Sequence, residues 1–181
     1  MKLEGFFERI AGGDVVFIGG RPEVGKTTIA LMFAEFASKK EQKTLFCSNE
    51  WPADQIVNRL ADGVVIKDDL RNITELVFVM EESKDIQYFI LDYFQLLGIS
   101  KNIESEMSEL KKTAKKKNVA VILMYAFDRR FNWEKGGILQ FKLDDFSLEP
   151  YADIIGYIVQ VMADESREIL VVKHPYGKTD T

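Results

Sequence analysis

The chain has 181 residues, of which 46% are hydrophobic and 29% charged, and its formal net charge is -5. This length allows one well-buried core and is short for two, so we expect a single domain over residues 1–181. The acidic balance excludes a uniformly basic nucleic-acid-binding surface but permits a local basic patch. The single cysteine, Cys47, cannot form an internal disulfide. Without a run of ~18 apolar residues that could span a membrane, we predict a cytosolic protein with no membrane partner.

Apolar periodicity predicts helices that alternate with short strands. The predicted helices cover residues 3–10, 27–40, a segment after Pro52 with the apolar stripe Ala53, Ile56, Val57 and Leu60, a segment marked by Ile73, Leu76, Val77 and Met80, and residues 104–118. The predicted strands cover residues 14–18, 44–47, 64–66, 87–91, 119–124, 154–162 and 168–172. The third strand is too short to be central. The last two strands are joined by a polar tip over 163–167, which predicts an antiparallel hairpin.

This alternation predicts an α/β fold with a mostly parallel central sheet, flanking helices and a C-terminal β-hairpin. Residues 127–150 have no clear period for much of their length, and we interpret them as a long loop, with room for a short helical turn. The helix over 104–118 ends in a lysine-rich stretch. Those lysines favour a solvated face that complements the helix dipole over a phosphate-binding stripe.

A phosphate-binding loop is the strongest chemical signal in the sequence, because residues 20–27 fit GxxxxGKT between a predicted strand and a predicted helix. Such a loop turns backbone N–H groups toward an anion at a helix N-terminus. Gly25 would let the backbone approach the anion, Lys26 would reach the β/γ-phosphates of ATP or ADP, and Thr27 would ligate Mg²⁺. The predicted nucleotide-binding residues are Gly20, Arg21, Pro22, Glu23, Val24, Gly25, Lys26, Thr27 and Thr28. The alternative is a glycine-rich turn that merely joins strand to helix.

Two acidic residues follow predicted strands and so fall on the carboxyl edge of the sheet, where open α/β sheets bind ligands. Asp92 ends the fourth strand, and its carboxylate could hold Mg²⁺; the alternative is an ordinary strand-end turn. Glu50 follows the second strand. It could act as the base that activates the water attacking the γ-phosphate, or it could stabilise the start of the helix near Pro52.

Several of these segments resemble motifs of DnaB-type replicative helicase cores, a branch of the RecA-like ATPases. Residues 21–28 resemble ARPSMGKT, 48–52 resemble SLEMP, 91–97 resemble IDYLQLM, 117–122 resemble LNVPVV, 152–157 resemble ADLIMFI, and 168–173 resemble AEIIIAK. The resemblance covers nearly the whole chain. It implies a RecA-like core with strand order 3-2-4-5-1-6-7 and gives Glu50 and Lys26 catalytic roles.

The resemblance also implies a DNA-contacting loop after the fifth strand. There the sequence combines cations for phosphates with an aromatic ring for base stacking, on residues Arg129, Arg130, Trp133 and Lys135. Acidic residues in the same stretch dilute this charge, and an ordinary surface loop is an equal alternative.

The sequence departs from the family pattern in four places. It has no counterpart of the N-terminal primase-interacting domain, and the segment between Leu60 and Val64 is shorter. Ala126 stands where the family's SQLNR carries its Gln sensor. The family's KQR, whose Arg reaches the neighbouring subunit's nucleotide, is matched by residues 173–175, Lys-His-Pro. Because proline carries no guanidinium, we expect weak ATP hydrolysis and no helicase activity.

Two functions of different class follow. The first is a weak, Mg-dependent ATPase of RecA/DnaB type, linked to DNA replication or recombination through single-stranded DNA and a homo-oligomeric assembly. The second is a nucleotide-binding interaction module, a degenerate helicase paralogue with little or no turnover, that docks on a replication or recombination protein. A small-molecule kinase is a weaker alternative, because no acceptor-binding segment stands out.

Overall fold

The computed structural model describes residues 2–97, 100–127, 142–143, 146–160 and 167–174. The helices are α1 Leu3–Phe7, α2 Lys26–Lys39, α3 Ala53–Ile56, α4 Ile73–Glu82 and α5 Ile103–Lys117. The strands are β1 Val15–Gly20, β2 Thr44–Ser48, β3 Val64–Lys67, β4 Tyr88–Asp92, β5 Ala120–Ala126, β6 Lys142–Leu143, β7 Phe146–Ser147, β8 Ile154–Gln160 and β9 Arg167–Lys173.

Seven strands form one sheet in the order β3-β2-β4-β5-β1-β8-β9. All neighbouring pairs are parallel except β8 and β9, which form the predicted antiparallel hairpin. The order confirms the expected 3-2-4-5-1-6-7, once the two-residue strands β6 and β7 are left out of the count. Those two pair with each other within the stretch interpreted as a loop, and residues 149–151 there form the short helical turn.

The sheet lies between two apolar layers, so its central strands are buried on both faces. In β1, Val15 and Phe17 join the cluster that includes α4 and α5, while Val16 and Ile18 join the cluster that includes α1 and α2. Side chains alternate faces along a strand, and a parallel sheet with helices on both sides therefore requires a continuous apolar run. This packing places the carboxyl ends of β1, β2, β4 and β5 side by side along one edge.

The segment after Pro52 departs from prediction. α3 has four residues and passes into a 3-10 turn over Val57–Arg59. Ile56 is buried and Leu60 packs partly buried against the cluster that includes α2, but Val57 is 52% exposed, so the predicted apolar stripe is wrong at Val57. The physical reason is position: the segment leads to β3, a short edge strand that offers little surface to cover. α1 is also shorter than predicted and ends at Phe7.

The lysines at the end of α5 contact groups of the protein. Lys116 Nζ lies 3.0 Å from the Glu81 carboxylate, and Lys117 donates to the Glu81 carbonyl. Lys111 pairs with Asp153 at 3.0 Å. These contacts favour the structural interpretation of the lysine-rich stretch. Cys47 is fully buried, and burial raises the pKa of its thiol to about 12, as expected of an unreactive core cysteine.

Within the described part of the chain, no helix combines the length and apolar character required to cross a membrane.

The aromatic packing of α2 on the sheet should carry much of the stability. Phe33 is fully buried, with its ring centroid 5.0 Å from those of both Phe7 and Tyr88. Phe33→Ala should lower the free energy of unfolding by about 3–5 kcal/mol, through lost burial and a cavity. In urea titrations, Phe78→Ala is the matched control, because Phe78 is 65% exposed. Equal losses for the two variants would contradict this account of the core.

Candidate functional site

The loop between β1 and α2 makes a tight turn at the carboxyl edge of the sheet. Glu23 and Gly25 both have positive φ, 66° and 94°. A Cβ built on Gly20 would lie 2.6 Å from Val24 Cγ1, so the loop folds back onto the end of β1 too closely for a larger residue. α2 begins at Lys26, and the N–H groups of a first helical turn have no partner within the helix. The local geometry is that of an anion-binding helix start.

Lys26 is buried at the root of this loop, with 2% of its surface exposed. Its ammonium donates to the carbonyl oxygens of Arg21 at 2.7 Å and Gly20 at 3.3 Å. It also lies 5.0 Å from the centroid of the Tyr93 ring. Burial lowers the pKa of Lys26, and the charges of Asp92 and Glu50 oppose that shift. A cation held on two loop carbonyls can exchange them for the stronger charged acceptors of a phosphate.

Asp92 is the last residue of β4 and is fully buried. Neither carboxylate oxygen has a partner that meets full hydrogen-bond geometry among the described residues, and the nearby Thr27 hydroxyl acts on the carboxylate as a donor in looser geometry. Burial raises the pKa of Asp92 to about 6, the nearby Thr27 hydroxyl and Lys26 oppose the rise, and Glu50 adds to it. A buried carboxylate without hydrogen bonds of full geometry is costly, and its cost would be relieved by a hard divalent cation with oxygen ligands.

The residues present fit Mg²⁺ carried by a nucleotide. Among the described residues, no group of three or more His, Cys, Asp or Glu side chains could hold a metal. Mg²⁺ bound to a nucleotide needs no such cage, because one or two protein ligands, waters and phosphate oxygens complete its shell. Thr27 and Asp92, from neighbouring elements at this edge, could supply that small ligand set.

Glu50 lies two residues beyond the end of β2 and is exposed. Asn49 holds this turn against β4, because its N–H donates to the Asp92 carbonyl at 2.8 Å. The first amide of α3, that of Ala53, donates to the Asp68 carboxylate and not to Glu50. Asp68, and not Glu50, therefore accepts from this amide, and both interpretations of Glu50 remain predictions. The Glu50 charge acts on Lys26, Asp92 and Tyr93.

Tyr93 joins the site although the sequence argument did not select it. It follows Asp92 through a cis peptide bond. Burial raises the pKa of Tyr93 to about 12, with further contributions from Glu50 and Asp92. The available signal was an aromatic residue directly after a strand-end Asp. The sequence interpretation considered only the Asp92 carboxylate.

Two positions that depart from the family pattern, Ala126 and the segment that begins at Lys173, lie toward different edges of the sheet. Ala126 is level with Gly20 across the β1–β5 pairing, at the carboxyl edge. Lys173 pairs with Ile155, which itself pairs with Phe17, so Lys173 lies back toward the amino edge, and its Nζ donates to the Glu149 carbonyl. His174 follows there, near Arg9 and Asp14, and burial lowers its pKa. Pro175 and the four loop residues predicted to contact DNA, Arg129, Arg130, Trp133 and Lys135, are outside the described residues.

Comparison with known proteins gives a consistent picture. The family model of the DnaB-like helicase C terminal domain matches residues 1–72. A probable plasmid replicative DNA helicase of Chlamydia trachomatis serovar L2 is 25% identical over 93% of this chain and 48% of its own length. The DNA repair protein RadA of Helicobacter pylori J99 is 24% identical over 94% of this chain and 39% of its own length. The chain thus spans about half the length of such relatives, or less.

Solved structures show the same likeness. A structure of a DnaB-like replicative helicase, described with its interactions with primase, superposes with a TM-score of 0.77 at 19% identity, covering 94% of this chain and 54% of that one. A solved ATPase domain superposes with a TM-score of 0.74 at 20% identity, covering 92% of this chain and 78% of that one. At these identities the likeness shows the fold. The fold is that of a RecA-like core, and the chain resembles the ATPase core of DnaB-type replicative helicases.

Proposed function

We propose that this protein is a Mg-dependent ATP- and ADP-binding protein of RecA/DnaB type and a weak ATPase, which acts in the cytosol in DNA replication or recombination as one domain over residues 1–181. The observation that carries the proposal is the buried pair of Lys26 and Asp92 at the root of the phosphate loop. Burying a cation and a carboxylate costs free energy, and among the described residues this carboxylate has no hydrogen bond of full geometry. Mg-nucleotide compensates both at once.

Each residue at the edge has a role in binding. Backbone amides of the loop over 20–28 surround the phosphates, and Lys26 neutralises their charge. Thr27 and Asp92 would hold Mg²⁺ through their side-chain oxygens. The metal, when bound, neutralises charge on the β- and γ-phosphates.

Glu50 is proposed as the base for hydrolysis. An exposed carboxylate beside the phosphate loop is accessible to water, and its charge lies within reach of Lys26 and Tyr93. It would orient the attacking water and accept its proton. Lys26 would stabilise the charge that develops on the phosphoryl oxygens.

Weak turnover is expected from the residues at two positions where the sequence departs from the family pattern. Ala126 has only a methyl group at the position on the carboxyl edge where DnaB-type cores carry a Gln. Lys173 and His174 lie toward the amino edge of the sheet, so they cannot complete the nucleotide site of their own chain. They could reach the nucleotide of a second copy, which makes a homo-oligomer part of the proposal. An ammonium there lacks the multi-donor geometry of an Arg guanidinium.

The second candidate is an interaction module that binds nucleotide with little or no turnover. The same Lys26 and Asp92 geometry supports it, and the matches to both a plasmid helicase and a repair protein leave the partner open. Single-stranded DNA, contacted through Arg129, Arg130, Trp133 and Lys135, belongs to the first candidate. ATP turnover measured with and without single-stranded DNA therefore separates the two, because only the first candidate hydrolyses ATP.

Replacing Lys26 tests nucleotide binding. Lys26→Ala should weaken Mg·ADP binding about 10- to 100-fold, the loss expected for charge-assisted contacts to phosphate. The measurement is isothermal titration calorimetry at millimolar ligand. Lys39→Ala is the control, because Lys39 ends the same helix on an exposed face and pairs with Glu35. A wild-type protein that binds no nucleotide would refute the proposal.

Replacing Asp92 tests the metal site through stability. The folded-state pKa of about 6 lies above the ordinary value of 3.8, so the carboxyl destabilises the nucleotide-free fold as pH rises from about 4 through 6. Asp92→Asn should therefore raise the free energy of unfolding at pH 7.5 in EDTA by at most about 3 kcal/mol, which is detected as a higher melting temperature. The gain should vanish near pH 4. Thermal scans across pH, with Mg²⁺-dependent ADP affinity measured on the same variant, check both consequences. A pH-independent difference, or unchanged Mg²⁺ dependence, would contradict the assignment.

Replacing Glu50 separates hydrolysis from binding. Glu50→Gln should lower ATP turnover at least ~100-fold, as for a lost general base, with ADP affinity nearly unchanged. Phosphate release is followed with and without single-stranded DNA, and Glu41→Gln on an exposed turn serves as control. Wild-type turnover should be slow and respond little to DNA. Strong DNA stimulation would show that an activating group lies elsewhere in the chain. Equal turnover of Glu50→Gln and the wild type would favour the helix-start interpretation of Glu50.

A further inference from the structure

The side chain of Gln95 extends the sheet beyond the end of a strand. Gln95 lies in the 3-10 turn Phe94–Leu96 that follows β4. Its Nε2 donates to the Ala126 carbonyl at 2.6 Å, and its Oε1 accepts from the Ala126 N–H at 3.1 Å. The last main-chain pair between β4 and β5 is Leu91 with Leu123. A primary amide offers the same donor and acceptor as a peptide unit, so Gln95 continues this pairing after β4 itself has turned away.

The contact leads directly to the phosphate loop. On its other side Ala126 is level with Gly20, the last residue of β1. The Gly20 carbonyl accepts two donors: the N–H of Phe127 at 3.0 Å and the Lys26 ammonium at 3.3 Å. One carbonyl oxygen therefore joins the buried lysine to the first residue after β5. Gln95 fixes the end of β5 from the opposite side.

We propose that Gln95 is a positioning residue of the nucleotide site, which holds Ala126 so that occupancy of the phosphate loop is transmitted through the Gly20 carbonyl to Phe127. The inference rests on the proposed function, because it requires a nucleotide at Lys26. The route runs through the main chain. Ala126 has no polar side chain to carry such a signal, and its backbone N–H and C=O are both engaged by Gln95.

Nucleotide binding changes which donors share the Gly20 carbonyl oxygen. To reach a phosphate, Lys26 exchanges the carbonyls of Gly20 and Arg21 for phosphate oxygens. Of these two donors, the Gly20 oxygen then keeps the Phe127 N–H. An acceptor shared by two donors binds each less strongly than an acceptor with one, so the Phe127 hydrogen bond strengthens when nucleotide is bound. Phe127 is thereby held more firmly beside the end of β1.

Amide hydrogen exchange of the full chain, followed by NMR without nucleotide and with saturating Mg·ADP, tests the proposal. In the wild type, Mg·ADP should slow exchange of the Phe127 amide by about threefold or more, the scale of one modest hydrogen-bond gain. Gln95→Met keeps the length of the side chain and removes both hydrogen bonds. It should speed exchange of the Ala126 amide without nucleotide and abolish the response at Phe127, while still binding ADP.

Gln87→Met is the matched control, because Gln87 accepts the Lys43 N–H just before β4 begins, at the opposite edge of the sheet. It should keep the Phe127 response even if its melting temperature falls as much as that of Gln95→Met. Should Gln95→Met not fold, Gln95→Glu retains the acceptor for Ala126 but lacks the donor, and it too should lose the response.

The outcomes that overturn the proposal are distinct from failure of the proposed function. ADP binding with unchanged exchange at Phe127 in the wild type would refute transmission through Gly20. A wild-type response in the Gln95 variants, or its loss in Gln87→Met, would refute the positioning role. If the wild type binds no ADP, the nucleotide proposal fails, and unaltered Ala126 exchange in nucleotide-free Gln95→Met would separately refute the Gln95 contact.

Discussion

The burial of opposite charges at the carboxyl edge of the sheet is the constraint on which this structure depends. Lys26 and Asp92 both have almost no exposed surface, and charged groups remain buried only where other interactions compensate them. Lys26 is satisfied by two carbonyls of its own loop. Asp92 has no hydrogen bond of full geometry among the described residues, and burial moves its pKa toward neutrality. Burial of these charges is thus an electrostatic cost that a metal-bound polyphosphate would offset.

The apolar architecture makes that arrangement possible. β1, β2 and β4 are buried along their whole length between two helical layers, which excludes water from the groups at their ends. Parallel strands deliver all their carboxyl ends to one edge, so residues far apart in sequence meet there without any long connecting loop. Asn49 and Gln95 then tie the turns after β2 and β4 to their neighbours through hydrogen bonds. The edge is consequently rigid at the points where the proposed chemistry needs fixed distances.

The resemblance to DnaB-type cores implied the strand order, whereas local signals predicted the strands and the loop: apolar runs indicate buried strands, and GxxxxGKT between a strand and a helix indicates a phosphate loop. The prediction failed at Val57, where periodicity implied a buried position and the segment beside the edge strand leaves that side chain exposed. It also passed over Tyr93 and Gln95. Their roles depend on how the chain turns after β4, and no spacing rule encodes which neighbour a turn residue will face. The capping contact of Asp68 with Ala53 was likewise not predicted, because it arises from the tertiary fold.

The antiparallel hairpin determines how cations can reach a nucleotide. β9 runs opposite to the parallel strands, so its first residue, Arg167, pairs with Gln160 at the carboxyl end of β8, while its last, Lys173, pairs with Ile155 near the amino end. The two ends of one strand therefore have different geometric relations to the phosphate loop. A cation at the amino edge can act on a nucleotide only across a boundary between copies, whereas one at the carboxyl edge belongs to the same side of the sheet as Lys26. Hydrolysis by this chain is therefore expected to depend on concentration if Lys173 contributes, and to be independent of concentration if it does not.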